Sequence, residues 1–150
     1  PDRLVAADRD AGVFDQLRLR GISEEVAMTA RLIAHWLSFG PLILIATLPA
    51  SALLSLSGPT FWRLLASLLA GTPGLAAIGL MTAALLASLR GGTALAGLML
   101  APLAVPLVIF GAGHLARVDM SGALFAGAFS LVLCAIAPFA AAAAIRAARD

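Results

Sequence analysis

Two imidazoles, one thiol and a scatter of hydroxyls are the side chains of this sequence with chemistry of their own. His35 and His114 could each ligate a metal through a neutral ring nitrogen. Cys134 stands alone. It cannot close an internal disulfide, no second Cys or nearby His completes a ligand set, and it reads as a small packing residue. Ser38, Ser51, Ser55, Ser67, Ser88 and Ser130 have no His–acid pair in their own segments to make a nucleophile. The sequence contains no HExxH, no Gly-x-Ser-x-Gly and no GxxxxGK[ST] phosphate loop. These residues therefore predict neither a catalytic site nor a metal site, and any work driven by a nucleotide needs hydrolysis in a second chain.

The elements that hold these residues are lipid-soluble. Of the 150 residues 61% are hydrophobic and 12% charged, against about 45–50% and about 25% in soluble domains. Too little polar surface remains to cover the chain in water. Four continuous apolar runs, at about 32–56, 64–89, 93–113 and 122–145, each reach the roughly 20 residues that cross a hydrocarbon core. Their backbone groups must pair within the segment, so the runs are helices; none shows the alternation of a β-barrel strand. The predicted fold is all-α, a polytopic membrane protein with a four-helix transmembrane bundle. Gly58-Pro59 and Gly91-Gly92 read as breaks between spans, and residues 114–121, with Arg117 and Asp119, as the third link.

All ten basic residues are Arg. With the N-terminal segment cytoplasmic, Arg3, Arg9, Arg18, Arg20, Arg31, Arg90, Arg146 and Arg149 fall inside and only Arg63 and Arg117 outside. The positive-inside bias thus places both ends of the chain in the cytoplasm. Scattered Arg in short loops is no basic stripe, which excludes a nucleic-acid binder. No Asp, Glu, Lys or Arg lies well inside a run, which argues against an ion-coupled transporter. Pro41, Pro49, Pro73, Pro102, Pro106 and Pro138 all fall within runs, and Pro102 and Pro106, four apart, predict a bent or interrupted third span. Gly71, Gly74, Gly79 and residues 140–144, all Ala, predict close helix approach.

Residues 1–31 form a separate segment. Val13, Phe14 and Leu17 share one face of a short amphipathic helix, and Gly12 lies between two helical patterns and marks the bend. Asp15 and Arg18 are spaced to pair. Gly21 and Ser23 make a break; Ser23 caps the next helix, and Glu24 and Glu25 suit its positive end. That helix is expected to run on into the first span. Acidic Asp8, Asp10 and Asp15 offset the Arg residues, so the mixed charge favours a protein partner over anionic lipid.

Asp10, Ala11, Gly12, Val13, Phe14, Asp15, Gln16 and Leu17 in series resemble the acidic–Gly–x–Leu–Glu–Gln–Leu stretch of ABC-2 type permeases, with Phe14 and Asp15 at positions where Leu and Glu are common. Ala34-His35-Trp36, Gly40-Pro41-Leu42, Leu69-Ala70-Gly71-Thr72-Pro73, Leu89-Arg90-Gly91-Gly92, the Pro102 and Pro106 span and Ala137-Pro138-Phe139-Ala140 are similar, in order, to pieces of the haem exporter protein B family of cytochrome c maturation. The resemblance implies a six-span permease whose first two spans precede Pro1. It implies a cytoplasmic coupling helix through Asp10, Gly12, Phe14, Asp15, Gln16 and Leu17 that meets an ABC ATPase subunit, A. It further implies membrane subunits C and D, a periplasmic haem chaperone E, and the bacterial inner membrane. ATP would bind in the partner, and haem would be cargo or the chaperone's ligand, not a cofactor of this chain. Either histidine could ligate haem iron, but they lie at opposite ends of the predicted bundle and cannot form one bis-His site; both read as interface anchors. Two other readings are a scaffold that moves nothing and a generic ABC-2 exporter of lipid or polysaccharide, the latter disfavoured by the Gly-Thr-Pro and Arg-Gly-Gly pieces.

Overall fold

The computed structural model describes residues 5, 7–8, 11–88, 93–116 and 120–147. Five helices occur among them: α1 (Val13–Leu19), α2 (Glu24–Leu53), α3 (Gly58–Ser88), α4 (Thr93–Ala116) and α5 (Ser121–Ala147). No strand is present among the described residues. Three helices, α2, α3 and α5, are long and apolar enough to cross a membrane; α4 contributes a shorter apolar stretch, Ala101–Ala116.

Local chemistry sets the helix ends. Gly21, at φ +77°, closes α1: its N–H bonds the Arg18 carbonyl and the Ile22 N–H reaches back to Leu17, a Schellman stop that suits glycine. Ser23 then caps α2, its hydroxyl accepting from the Val26 N–H at 3.4 Å. As the sequence predicts, α2 runs from this cap into the apolar region without a break. At about 1.5 Å per residue it is about 45 Å long, more than the about 30 Å hydrocarbon core. Its surplus is the charged stretch from Glu24 to Arg31, since no charged residue follows before Leu53.

One expectation needs correction, and of the two alternatives for the third span, bent or interrupted, the second falls away. Gly58 and Pro59 do not break the chain; they open α3. Proline is tolerated in a first turn because its missing donor has no intrahelical partner there. The actual stop is a second Schellman turn, Leu56 N–H to Ser51 and Ser55 N–H to Ala52, with Ser55 at φ +50°. Pro102 and Pro106 do not interrupt α4, which is one helix through both.

The bundle is built around α3, which packs against α2, α4 and, most extensively, α5. Alanines make that last seam: Ala76, Ala77, Ala84, Ala137, Ala141 and Ala142 are fully buried. Gly127 faces Ala70, Ser130 meets Gly71 and Cys134 meets Pro73, so α3 and α5 run parallel. The end of α5 meets the start of α2, where Arg146 pairs with Glu24 and Glu25. Both termini of the described helical bundle are thus on one side.

Candidate functional site

Two places collect the polar side chains. The first is the charged end, where α1, the start of α2 and the end of α5 meet. Phe14 is 2% exposed and lies under the Arg31 guanidinium, 4.8 Å from its ring centre. Arg31 also pairs with Asp8 at 2.5 Å. Val5, Met28 and Leu32 complete this buried knot. Of the residues expected to meet a partner, Gly12 stands at φ +69° as the start of α1. Asp15 and Gln16 are exposed. Leu17 is half-buried in an apolar groove with Ile22, Val26, Ala27, Ala30 and Ala34. Phe14 is covered by the chain's own residues. Asp10 lies outside the described residues.

Across the knot, Arg146 donates to Glu25 and lies 3.6 Å from the Glu24 carboxylate. Both glutamates occupy the first turn of α2 and Arg146 the last turn of α5, so each charge also suits its helix dipole. Glu25 precedes the apolar part of α2. The hydrogen bond from Arg146 is the main cause holding its carboxyl below the usual range, and the same bond raises Arg146.

The second place is the helix crossing at Gly71, Thr72, Pro73 and Gly74, midway along α3. The Trp36 indole donates to the Thr72 hydroxyl at 3.1 Å and so ties α2 to α3. Ser130 donates to the Gly71 carbonyl at 3.5 Å and the Cys134 thiol to the Pro73 carbonyl at 3.4 Å, tying α5 to the same turn. Ser67 reaches the Gly111 carbonyl of α4 at 3.4 Å. Proline at 73 cannot donate to the carbonyl four residues back, and this loosened turn is where three side chains of α2 and α5 attach. Gly74 is a requirement of distance: a Cβ there would stand 2.6 Å from Ser130 Oγ and 2.9 Å from Leu107 Cδ1. Beside the crossing, an apolar groove of about 270 Å³ opens between α3 and α4, lined by Ser67, Gly71, Thr72, Leu107 and Gly111 among others.

His35 and Trp36 both face α3. The His35 ring lies against Gly79, where a Cβ would come within 3.0 Å of Nε2, and 5.2 Å from the Phe39 ring. His114 lies in the last turn of α4, where it is buried at 1% exposure. Gly122 on α5 allows this: a Cβ there would meet the His114 backbone at 2.7 Å. Pro102 is exposed and Pro106 half-buried on α4. Arg90, Gly91 and Gly92 lie outside the described residues. Among the described residues no group of three His, Cys, Asp or Glu could hold a metal.

Sequence reading missed the cross-helix hydroxyls. Ser38, Thr47, Ser51 and Ser88 do bond carbonyls of their own helix, but Ser67 and Ser130 do not. It also missed Asp8 with Arg31 and Arg146 with the glutamates. Opposite charge near helix ends was the available signal, without a way to choose partners. Comparison with known proteins then gives the lineage: residues 1–148 match the family described as CcmB protein. The chain belongs to the CcmB family. It is 39% identical to Heme exporter protein B of Paracoccus denitrificans, covering 97% of this chain and 69% of that protein. It is 40% identical to Heme exporter protein B of Rhodobacter capsulatus, again over 97% and 69%. The Haemophilus influenzae protein of that name is 36% identical over 99% and 70%. In this CcmB-family chain, both Trp36 and Thr72, picked out by resemblance as separate pieces, belong to one contact.

Proposed function

We propose that this chain is the membrane subunit of an ATP-driven complex serving haem export for c-type cytochrome biogenesis. The observation that carries this is the match to proteins named Heme exporter protein B along 97% of the chain. The chain supplies no phosphate loop, so ATP is hydrolysed by a partner, the A subunit, and this chain is a permease subunit, not an enzyme. C and D are its membrane partners and E its periplasmic chaperone partner. Haem is cargo or the chaperone's ligand. Four spans cross the bacterial inner membrane: α2, α3 and α5, with α4 as the fourth because it packs against both α3 and α5. Both ends of the chain are cytoplasmic, in line with the Arg bias and with the ends lying on one side.

The amphipathic segment docks the ATPase through its outward residues, Asp15, Gln16 and Leu17, with Asp10 and Gly12 beside them. Phe14 acts from beneath by fixing α1 on α2.

The test is complementation of a strain lacking this chain. Full-length protein should restore c-type cytochromes and co-purify with the ATPase subunit. A strain with a hydrolysis-dead ATPase should stay deficient; if cytochromes mature there, the chain is only a scaffold. A reporter fused after Arg90 should read cytoplasmic and one after Arg117 periplasmic.

A further inference from the structure

The charged end offers two continuous links. Asp8 and Phe14 both grip Arg31, which fixes the α1 region to the second turn and beyond of α2. In the first turn of α2, Glu24 and Glu25 grip Arg146 of α5. The Glu24 side chain is only 7% exposed and both its carboxylate oxygens are shielded, whereas Arg146 is 48% exposed. An exposed ion pair contributes little and slides apart readily. A pair that includes a buried carboxylate does not, because parting would strand that charge away from water. Farther along α5, Ser130 and Cys134 attach it to the loosened turn of α3 at Gly71 and Pro73.

We infer that Arg146 is a positioning residue that ties α5 to the start of α2 and carries displacement of the α1–α2 segment into the bundle. This rests on the reading of the chain as an ATP-driven subunit. The route runs from α1 through Arg31 to α2, from Glu24 and Glu25 through Arg146 to α5, and from Cys134 to α3. A chain of contacts of this kind carries coupling only if both ends respond together, and the sole cysteine of the chain, Cys134, is placed to report it. Its thiol is half-buried on α5 and bonded to α3, so a shift of α5 changes its access to a small reagent.

The experiment uses the purified complex with its ATP-hydrolysing subunit in nanodiscs. The alkylation rate of Cys134 by N-ethylmaleimide is read by peptide mass spectrometry, without nucleotide and after trapping with ATP and vanadate. In the wild type the two rates should differ. Arg146→Lys should keep that difference and Arg146→Gln should lose it, with the ATPase still bound in both. If Arg146→Gln fails to assemble, the exchange Glu25→Arg with Arg146→Glu, made together with Glu24→Gln so that the carboxylate placed at 146 does not face a second one, keeps a pair of opposite charges and should restore the nucleotide response. A wild type without a nucleotide-dependent difference overturns the inference. So does an assembled Arg146→Gln complex that keeps the full difference, or an assembled exchange variant that lacks it. A wild-type chain that never co-purifies with an ATPase refutes the functional reading itself, a separate result.

Discussion

Two glycines three residues apart on α3 should respond to the same substitution with opposite sign. A Cβ at Gly74 would lie 2.6 Å from Ser130 Oγ, 2.9 Å from Leu107 Cδ1 and 3.1 Å from Ser130 Cα; at Gly71 it would meet nothing within 4 Å. The leucine methyl can swing away and the serine hydroxyl can rotate. The Ser130 Cα belongs to the backbone of α5, so Gly74→Ala must push α3 and α5 apart. That loosens the alanine seam on either side. Overpacking of this sort costs about 1–3 kcal/mol. Alanine recovers about 1 kcal/mol over glycine in a helix interior, so the net loss is about 0–2 kcal/mol. Gly71→Ala keeps only the helix gain, about 0.5–1 kcal/mol of stabilisation. The gap between the variants is about 2 kcal/mol, roughly thirtyfold in the ratio of folded to unfolded protein. Unfolding of the detergent-solubilised chain by sodium dodecyl sulfate, followed by the fluorescence of Trp36 and Trp62, measures it. Adding Ser130→Ala to Gly74→Ala removes the shortest contact and should recover part of the loss in a double-mutant cycle. Equal stability of Gly74→Ala and Gly71→Ala would refute the packing argument.

Phe14→Ala empties the knot beneath Arg31 and should cost about 3–5 kcal/mol, read as a lower membrane level and a lower melting temperature, whereas exposed Gln16→Ala should leave both unchanged. Trp36→Phe and Thr72→Val each remove the same hydrogen bond, so the double variant should cost about 0.6 kcal/mol less than the two single losses added together, a typical coupling within a membrane bundle. Glu25 has its carboxyl held below the ordinary range by Arg146. A depressed folded-state value stabilises above the unfolded one, and that stability is lost as pH falls through the folded value. The difference in unfolding midpoint between wild type and Glu25→Gln should be constant above about pH 5 and shrink below about pH 4, where carboxylates take up protons; a difference that grows on acidification contradicts the Arg146 pairing.

The order and type of the elements were legible in the residues because lipid leaves few choices. A run of some 20 apolar residues must satisfy its own backbone, and only a helix does so. The Ser23 cap, the Gly21 stop and the continuous α2 followed from local chemistry, since cap residues act on neighbours within four positions. The family was legible too, because its pieces are short and occur in order. What the tertiary structure decided lies at longer range. An apolar helix surface in lipid carries no strong mark of which face meets protein, so composition alone could not predict that Gly74 touches Ser130 while Gly71 opens on a groove. Hydroxyls at 67 and 130 were as free, by sequence, to bond their own helix as those at 38 and 51; the proximity of α4 and α5 sent them across. Phe14 reads as one apolar residue on an outward helix until Arg31 and Asp8 close over it. Arg146 counts in the sequence as one more charge on the inner side, and only the meeting of two helix ends makes it the partner of Glu24 and Glu25.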